Sequence, residues 1–134
     1  MIKNILADLP DSADEMFETL LAQPGIRIER IISSGQATPH GEWYDQAEDE
    51  WVLLVCGSAG LLIEGEPSPR RLGAGDFLLL PAGCRHRVEW TDPEVKSVWL
   101  AVLQSPVPRP NAATSASAPP VASRRRAVRN VSPM

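Results

Sequence analysis

Several residue types are scarce in this 134-residue chain, and each scarcity excludes a class of protein. The two cysteines, Cys56 and Cys84, are too few for a disulfide framework and lack the paired spacing of a zinc finger. No apolar run approaches the roughly 20 residues of a membrane-spanning helix. Near the N-terminus, Asp8 interrupts the chain before the apolar stretch of a signal peptide can form. We therefore expect a cytoplasmic protein without membrane contact.

Positive charge is also scarce in most of the chain. Residues 105–134 contain five arginines and no acid, whereas residues 1–104 hold the other eight basic residues and all 17 acidic ones, a formal net charge of −9. An acidic surface repels the phosphate backbone of nucleic acids. We therefore expect that the folded part of the protein does not bind nucleic acid.

The ends of the chain differ in composition from its middle. In residues 1–25, Phe17, Leu20 and Leu21 recur at helical spacing before the breaker Pro24-Gly25, which predicts a short helix that packs on a larger domain. Residues 105–134 contain six prolines and many alanines and serines. Such a segment cannot bury enough apolar surface to offset its ordering entropy, so we predict a disordered tail.

Residues 26–104 carry short apolar runs that glycine and proline interrupt about every ten residues. This pattern predicts an all-β domain, an antiparallel sandwich or barrel. The segment Gly57–Gly60 predicts a tight hairpin between two of the runs. The predicted strands cover 26–32, 51–55, 61–63, 70–72, 77–80, 86–90 and 98–103.

The most informative stretch runs from Gly75 to His86: a glycine, five residues, Pro-x-Gly, two residues and a histidine. Pro81 and Gly83 end a strand and fold the chain back, so that His86 begins the return strand. This stretch resembles the second motif of the cupin superfamily, with all four positions in register. The resemblance implies a double-stranded β-helix, a jelly-roll barrel whose cup contains His86.

The first cupin motif is matched only in its second half, by Glu50 followed after six residues by Gly57. Depending on the spacer, the two histidine positions of the motif fall on Tyr44 and Gln46 or on Trp43 and Asp45. Because side chains alternate along a strand, only one of these pairs points into the cup. The acidic run before Glu50 leaves the choice open, with a slight preference for Asp45.

In the wider superfamily, two histidines, the glutamate and the later histidine hold a divalent transition metal such as manganese, iron, nickel or zinc. For this chain the resemblance implies a metal bound by His86 and Glu50, together with Asp45 or Gln46. Two carboxylates and one histidine suit Mn²⁺ or Fe²⁺ and leave positions for water or substrate.

Three functional hypotheses follow. The first is a metal-binding cupin that binds, or acts on, a small polar molecule in the barrel, with Glu50 as a further catalytic candidate. The second is a metal-free sensor or scaffold module, which the missing histidine pair suggests. The third is a metal-free enzyme similar to sugar epimerases, in which His86 and Tyr44 act as base and acid.

The segment from Trp43 to Gln46 and the stretch Cys84–Trp90 are similar to a subgroup of small single-domain bacterial cupins without an assigned reaction. The similarity covers residues 26–104, and it implies a fold and the location of a site rather than a substrate. Relatives commonly dimerise by exchanging N-terminal strands, so we expect a homodimer.

Overall fold

The computed structural model describes residues 1–106, so nearly all of the predicted disordered tail over 105–134 lies outside the described residues. Residues 1–106 form strands and no helix, which confirms the all-β class. The strands are β1 (Met16–Gln23), β2 (Ile26–Ser33), β3 (Asp49–Cys56), β4 (Ala59–Ile63), β5 (Arg70–Leu72), β6 (Phe77–Leu80), β7 (His86–Thr91) and β8 (Ser97–Gln104).

The strands form two antiparallel sheets. One sheet has the order β1-β2-β8-β3-β6 and the other the order β5-β4-β7. Alternate residues of each strand turn inward, as Glu50, Val52 and Leu54 do on β3, because successive side chains of a strand point to opposite faces. The apolar inward side chains of both sheets, such as Leu54 and Leu61, share one core cluster. The candidate site lies at the polar end of this core.

The predicted N-terminal helix is wrong, because its residues form β1, an edge strand paired with β2. Phe17 pairs with Ile31 and packs against the core cluster, whereas Leu21 lies beyond a bulge and is 40% exposed. Pro24 and Gly25 form the β1–β2 turn, where Gly25 has a φ of +81°. The helical spacing of Phe17, Leu20 and Leu21 does not mark one buried face, because Leu20 is 50% exposed as well. The barrel therefore begins before residue 26.

The strands predicted on either side of Gly57–Gly60 are confirmed, but the hairpin between them is wrong. β3 belongs to the five-stranded sheet and β4 to the three-stranded sheet, so the two strands do not pair. Gly57, with a φ of +94°, allows the crossing, because a Cβ there would lie 2.3 Å from Ser97 Oγ on β8. The segment between β3 and β4 therefore connects the two sheets and does not close a hairpin.

No helix among the described residues is both long and apolar enough to cross a membrane.

Candidate functional site

The Gly75–His86 stretch folds as its motif predicts. β6 ends at Leu80, the amide of Cys84 donates to the carbonyl of Pro81 at 2.9 Å, and Gly83 adopts a φ of +81°. This tight turn places His86 at the first position of β7, where its side chain is only 4% exposed. This turn therefore positions the His86 side chain inside the barrel.

Tyr44 reaches the site through a backbone bridge to His86. The Tyr44 amide donates to the His86 carbonyl at 2.7 Å, and the His86 amide donates to the Tyr44 carbonyl at 3.1 Å. The two rings stack with their centroids 5.4 Å apart. Two residues later, the Gln46 carbonyl accepts a hydrogen bond from the Gly83 amide at 2.9 Å. The segment before β3 is thus fixed along the motif that carries His86.

This bridge decides which pair of residues takes the two vacant histidine positions. Tyr44 and Gln46 are buried, at 4% and 5% exposure, whereas Asp45 between them is exposed. The slight preference for Asp45 was wrong, because alternation along the extended segment turns its carboxylate to the surface. His40, outside both frames of the motif, is also exposed.

Glu50 completes what we call the cup cluster: Tyr44, Gln46, Glu50 and His86. The Glu50 side chain is 2% exposed, and its Oε1 accepts a hydrogen bond from Gln46 Nε2 at 2.8 Å. The same oxygen lies 3.7 Å from His86 Nε2. Three of the four sequence-predicted metal candidates therefore come together, and Asp45 does not join them.

The hydrogen bonding of His86 assigns its tautomer. Its Nδ1 lies 3.0 Å from the carbonyl oxygen of Cys84, which can only accept. Nδ1 therefore carries the hydrogen, and in the neutral ring the lone pair belongs to Nε2, the nitrogen that faces Glu50. In the protonated ring, the same nitrogen faces a carboxylate.

Three residues of the cup cluster, all except Gln46, border a small cavity inside the barrel. The cavity has a volume of about 30 Å³, which is room for very few water-sized groups. Tyr44, Glu50 and His86 form its polar wall together with Glu15, which arrives from the segment before β1. The rest of the lining is apolar: Phe17, Ile31, Val52, Leu61, Leu80, Val88 and Trp99.

Glu15 is the residue of the cavity wall that the sequence did not predict. Neither cupin motif includes it, and the helix predicted over residues 1–25 gave it no role at the site. The only available signal was its position two residues before Phe17, which places both on the same face of a strand that begins nearby.

The donors of the cup cluster do not complete the four-ligand metal set that the resemblance implied. His86 Nε2 and Glu50 Oε1 are strong donors, but Gln46 offers only a neutral amide and Tyr44 a phenol. Among residues 1–106, no group of three or more histidine, cysteine, aspartate or glutamate side chains is arranged to hold a metal ion. Catalytic zinc sites usually have three protein ligands, and the cup cluster offers two strong ones. The expected divalent metal therefore stays a prediction.

No protein-family model matches the chain. A solved structure from Ralstonia eutropha JMP134, provisionally assigned as a mannose-6-phosphate isomerase, is 51% identical to it, with a TM-score of 0.77. The match covers 79% of this chain and 99% of that protein.

More distant matches agree on the fold. An RmlC-like cupin with a double-stranded β-helix fold from Methanocaldococcus jannaschii is 16% identical, with a TM-score of 0.54, over 78% of this chain and 93% of that one. Among curated proteins, an acireductone dioxygenase of Rhodopseudomonas palustris is 32% identical over 65 residues. These residues are 47% of this chain but 39% of the dioxygenase, so the chain matches well under half of that relative's length.

Proposed function

Because the chain belongs to the cupin superfamily, we propose that its cup binds a small organic molecule and that His86 moves a proton to or from that molecule. The observation that carries the proposal is the arrangement of His86. Cys84 holds its Nδ1 hydrogen, and Nε2 lies inside the barrel at 3.7 Å from Glu50. This is the geometry of a general base whose charged form is stabilised by a carboxylate.

Glu50 and Gln46 support that role. When Nε2 takes a proton, the imidazolium forms beside the Glu50 carboxylate, and their attraction is strong because both side chains are at least 95% buried. Gln46 donates its amide hydrogen to the same carboxylate and so holds it in place. Glu50 therefore stabilises the charge, and Gln46 is a positioning residue.

Tyr44 supplies the complementary group. Its phenol belongs to the cavity wall next to His86, and a phenol can donate a hydrogen bond, or a proton, to an oxygen that becomes negative. A base and an acid on one small cavity suit proton transfer at a carbon next to a carbonyl group. We therefore propose a small carbonyl compound as the substrate.

The size and lining of the cavity argue against a hexose phosphate, the substrate in the provisional name of the Ralstonia protein. Ligand pockets for drug-sized molecules measure about 300–1,000 Å³, and this cavity measures about 30 Å³. None of the residues that line it is a lysine or arginine, the usual partners of a phosphate. We infer a ligand, or a reacting end of one, with few non-hydrogen atoms.

A metal-dependent enzyme is the second candidate, and one observation favours it. The Oε1 atom of Gln46 is buried without a hydrogen-bond partner among the described residues, and hard cations accept such amide oxygens as ligands. His86 and Glu50 would then be the stronger ligands. The two candidates differ in whether a chelator stops the reaction.

Exchange of carbon-bound hydrogen with solvent tests the proposal directly. We would incubate the protein in D₂O with hydroxyacetone, aminoacetone or mannose 6-phosphate and follow the signals next to the carbonyl by proton NMR. We expect protein-dependent exchange on at least one of the two small ketones. It should fall at least about 100-fold in His86→Gln, the scale of a general base.

The matched control is Arg85→Gln, one position before His86, whose 41% exposed side chain forms an ion pair with Glu64 at 2.9 Å and does not line the cavity. It should exchange hydrogen at the wild-type rate. Equal rates in wild type and His86→Gln would contradict proton transfer. If a ketone binds but no exchange occurs, the cup is a sensor or scaffold site.

A further inference from the structure

The N-terminal arm, residues 5–15, is attached to the barrel by side chains that bind its backbone. The anchoring side chains are Arg30, Gln36 and Lys96; the first two are each only 8% exposed. They donate to the carbonyl oxygens of Ile5 at 3.0 Å, Ala7 at 2.7 Å, Leu9 at 3.1 Å and Ala13 at 2.9 Å. Buried polar groups are thus committed to holding a segment that has no helix or strand of its own.

The arm ends by placing Glu15 in the cavity wall. The Glu15 carboxylate accepts a hydrogen bond from Ser33 Oγ, and Ser33 is completely buried on β2. The same hydroxyl oxygen accepts a hydrogen bond from Trp99 Nε1 at 3.3 Å, on β8. This chain of hydrogen bonds fixes the position of the carboxylate relative to the cup cluster.

Glu15 adds a second carboxyl group to the lining of the cavity. Two carboxyl groups, Glu15 and Glu50, line it beside one imidazole, His86, and none of its lining residues is a lysine or arginine. Its other walls include the aromatic rings of Phe17, Tyr44 and Trp99. Carboxylates in an apolar surrounding disfavour an anion, and both carboxylates and aromatic faces attract a cation.

We propose that Glu15 determines the specificity of the cup, and that the ligand is a small organic cation such as a protonated amine. This inference rests on the proposed function only in that the cup binds a small molecule. It adds the charge of that molecule. It also assigns the selection of that charge to Glu15, a residue outside both cupin motifs.

Three probes of similar size and different charge test the proposal: ethanolamine as the cation, ethylene glycol as the neutral molecule and glycolate as the anion. We would measure their binding to the wild-type chain at pH 7.5 by ligand-observed NMR titration. We expect ethanolamine to bind at least about tenfold more tightly than the other two, about 1.4 kcal/mol. Equal affinities, or a preference for glycolate, would overturn the proposal without using any variant.

Variants then assign the preference to Glu15. Glu15→Gln keeps an oxygen that accepts the Ser33 hydrogen bond but removes the charge, so we expect ethanolamine to lose about tenfold in affinity. Glu15→Asp should restore part of the loss, and the exposed neighbour control Asp14→Asn should bind as wild type. If Glu15→Gln and Asp14→Asn behave alike, Glu15 does not set the specificity.

The two proposals can fail separately. Hydrogen exchange on neutral hydroxyacetone reports the base His86 and does not require a cationic ligand. A cup that catalyses exchange but shows no preference for ethanolamine keeps the proposed function and loses this inference. A cup that prefers ethanolamine but catalyses no exchange keeps the inference and loses the catalytic role.

Discussion

Tyr44 and Gln46 are the two residues that separate this cup from the metal centre of the superfamily. They occupy the inward positions where the first motif has histidines, and each side chain contacts another member of the cluster: the Tyr44 ring stacks on the His86 ring, and Gln46 donates to Glu50. A phenol and an amide suit hydrogen bonding and proton transfer better than binding of a transition metal. The cup therefore differs from a metal-binding cupin at two side chains, and it keeps the backbone positions of the motif.

The first prediction reverses that change. Tyr44→His combined with Gln46→His should create a set of three histidines and Glu50 and bind zinc stoichiometrically after dialysis, because imidazole suits zinc. The metal content of the dialysed protein, measured by mass spectrometry, checks it. The matched control is Trp43→His with Asp45→His, the other frame of the motif, which should bind no more zinc than wild type. Equal zinc in both double variants would contradict the inward orientation of Tyr44 and Gln46.

The second prediction concerns the thiol of Cys84, two residues before His86. Burial raises the pKa of this thiol above its ordinary value of 9.0, and the nearby Glu66 carboxylate raises it further. The thiolate is the reactive form, so alkylation by iodoacetamide should be slow at pH 7.5, and its rate should still be rising with pH above about pH 9. Peptide mass spectrometry measures the rate, with urea-unfolded protein as the reference. Fast alkylation of the native chain at pH 7.5 would make Cys84 a candidate nucleophile.

At the scale of the strands, composition and turn residues predicted where strands lie better than which strands pair. The runs that became β2, β3, β7 and β8 are long and apolar enough to identify from the sequence. The pairing of β3 with β8 rather than with β4 depends on contacts far apart in the chain, and a local turn signal such as Gly57–Gly60 does not contain them. The same is true of β1. The spacing of its apolar residues predicts a helix, and only its pairing with β2 makes it a strand.

The third prediction concerns the contact between β4 and β7. A Cβ on Gly60 would lie 2.2 Å from Trp90 Nε1, so Gly60→Ala must displace the indole ring. We expect a loss of about 1–3 kcal/mol in the free energy of unfolding, the usual effect of overpacking. Urea denaturation checks it. Gly73→Ala is the control, because its new Cβ would meet only Asp76 Oδ2 at 3.9 Å; a similar loss there would contradict the explanation.

At the scale of the whole molecule, the outer face of the five-stranded sheet carries an apolar patch at its edge. Phe77 and Leu79 on the edge strand β6 are 63% and 58% exposed, and Phe77 packs against Trp51 with ring centroids 5.4 Å apart. We therefore propose that a second copy of the chain covers it, in the expected homodimer.

The fourth prediction follows from that proposal. Leu79→Lys should shift the protein from dimer to monomer at micromolar concentration, because it places a charge in the centre of the apolar patch. Light scattering coupled to size-exclusion chromatography measures the mass. Leu20→Lys, on β1 at the opposite edge of the same sheet, is the control and should stay dimeric. A monomeric wild type would contradict the dimer, and a monomeric Leu20→Lys alone would favour exchange of N-terminal strands.

The site was predictable in the parts that a local motif specifies. His86 and Glu50 were identified because turn residues at fixed spacing accompany each of them. The orientation of Gln46 required the bridge between Tyr44 and His86, which joins distant segments of the chain. The position of Glu15 depends on the hydrogen bonds from Arg30, Gln36 and Lys96 that hold the N-terminal arm on the barrel, and on the bond from Ser33 to its carboxylate. The expected cytoplasmic location stays a prediction.

The central claim is that His86 transfers a proton in this cup without a metal. Its most direct test is hydrogen exchange on hydroxyacetone and aminoacetone, measured by NMR in D₂O before and after treatment of the protein with EDTA. We predict the same exchange rate in both samples and a loss of exchange in His86→Gln. Exchange that EDTA abolishes and added Mn²⁺ or Zn²⁺ restores would contradict the claim and establish the cup as a metal centre.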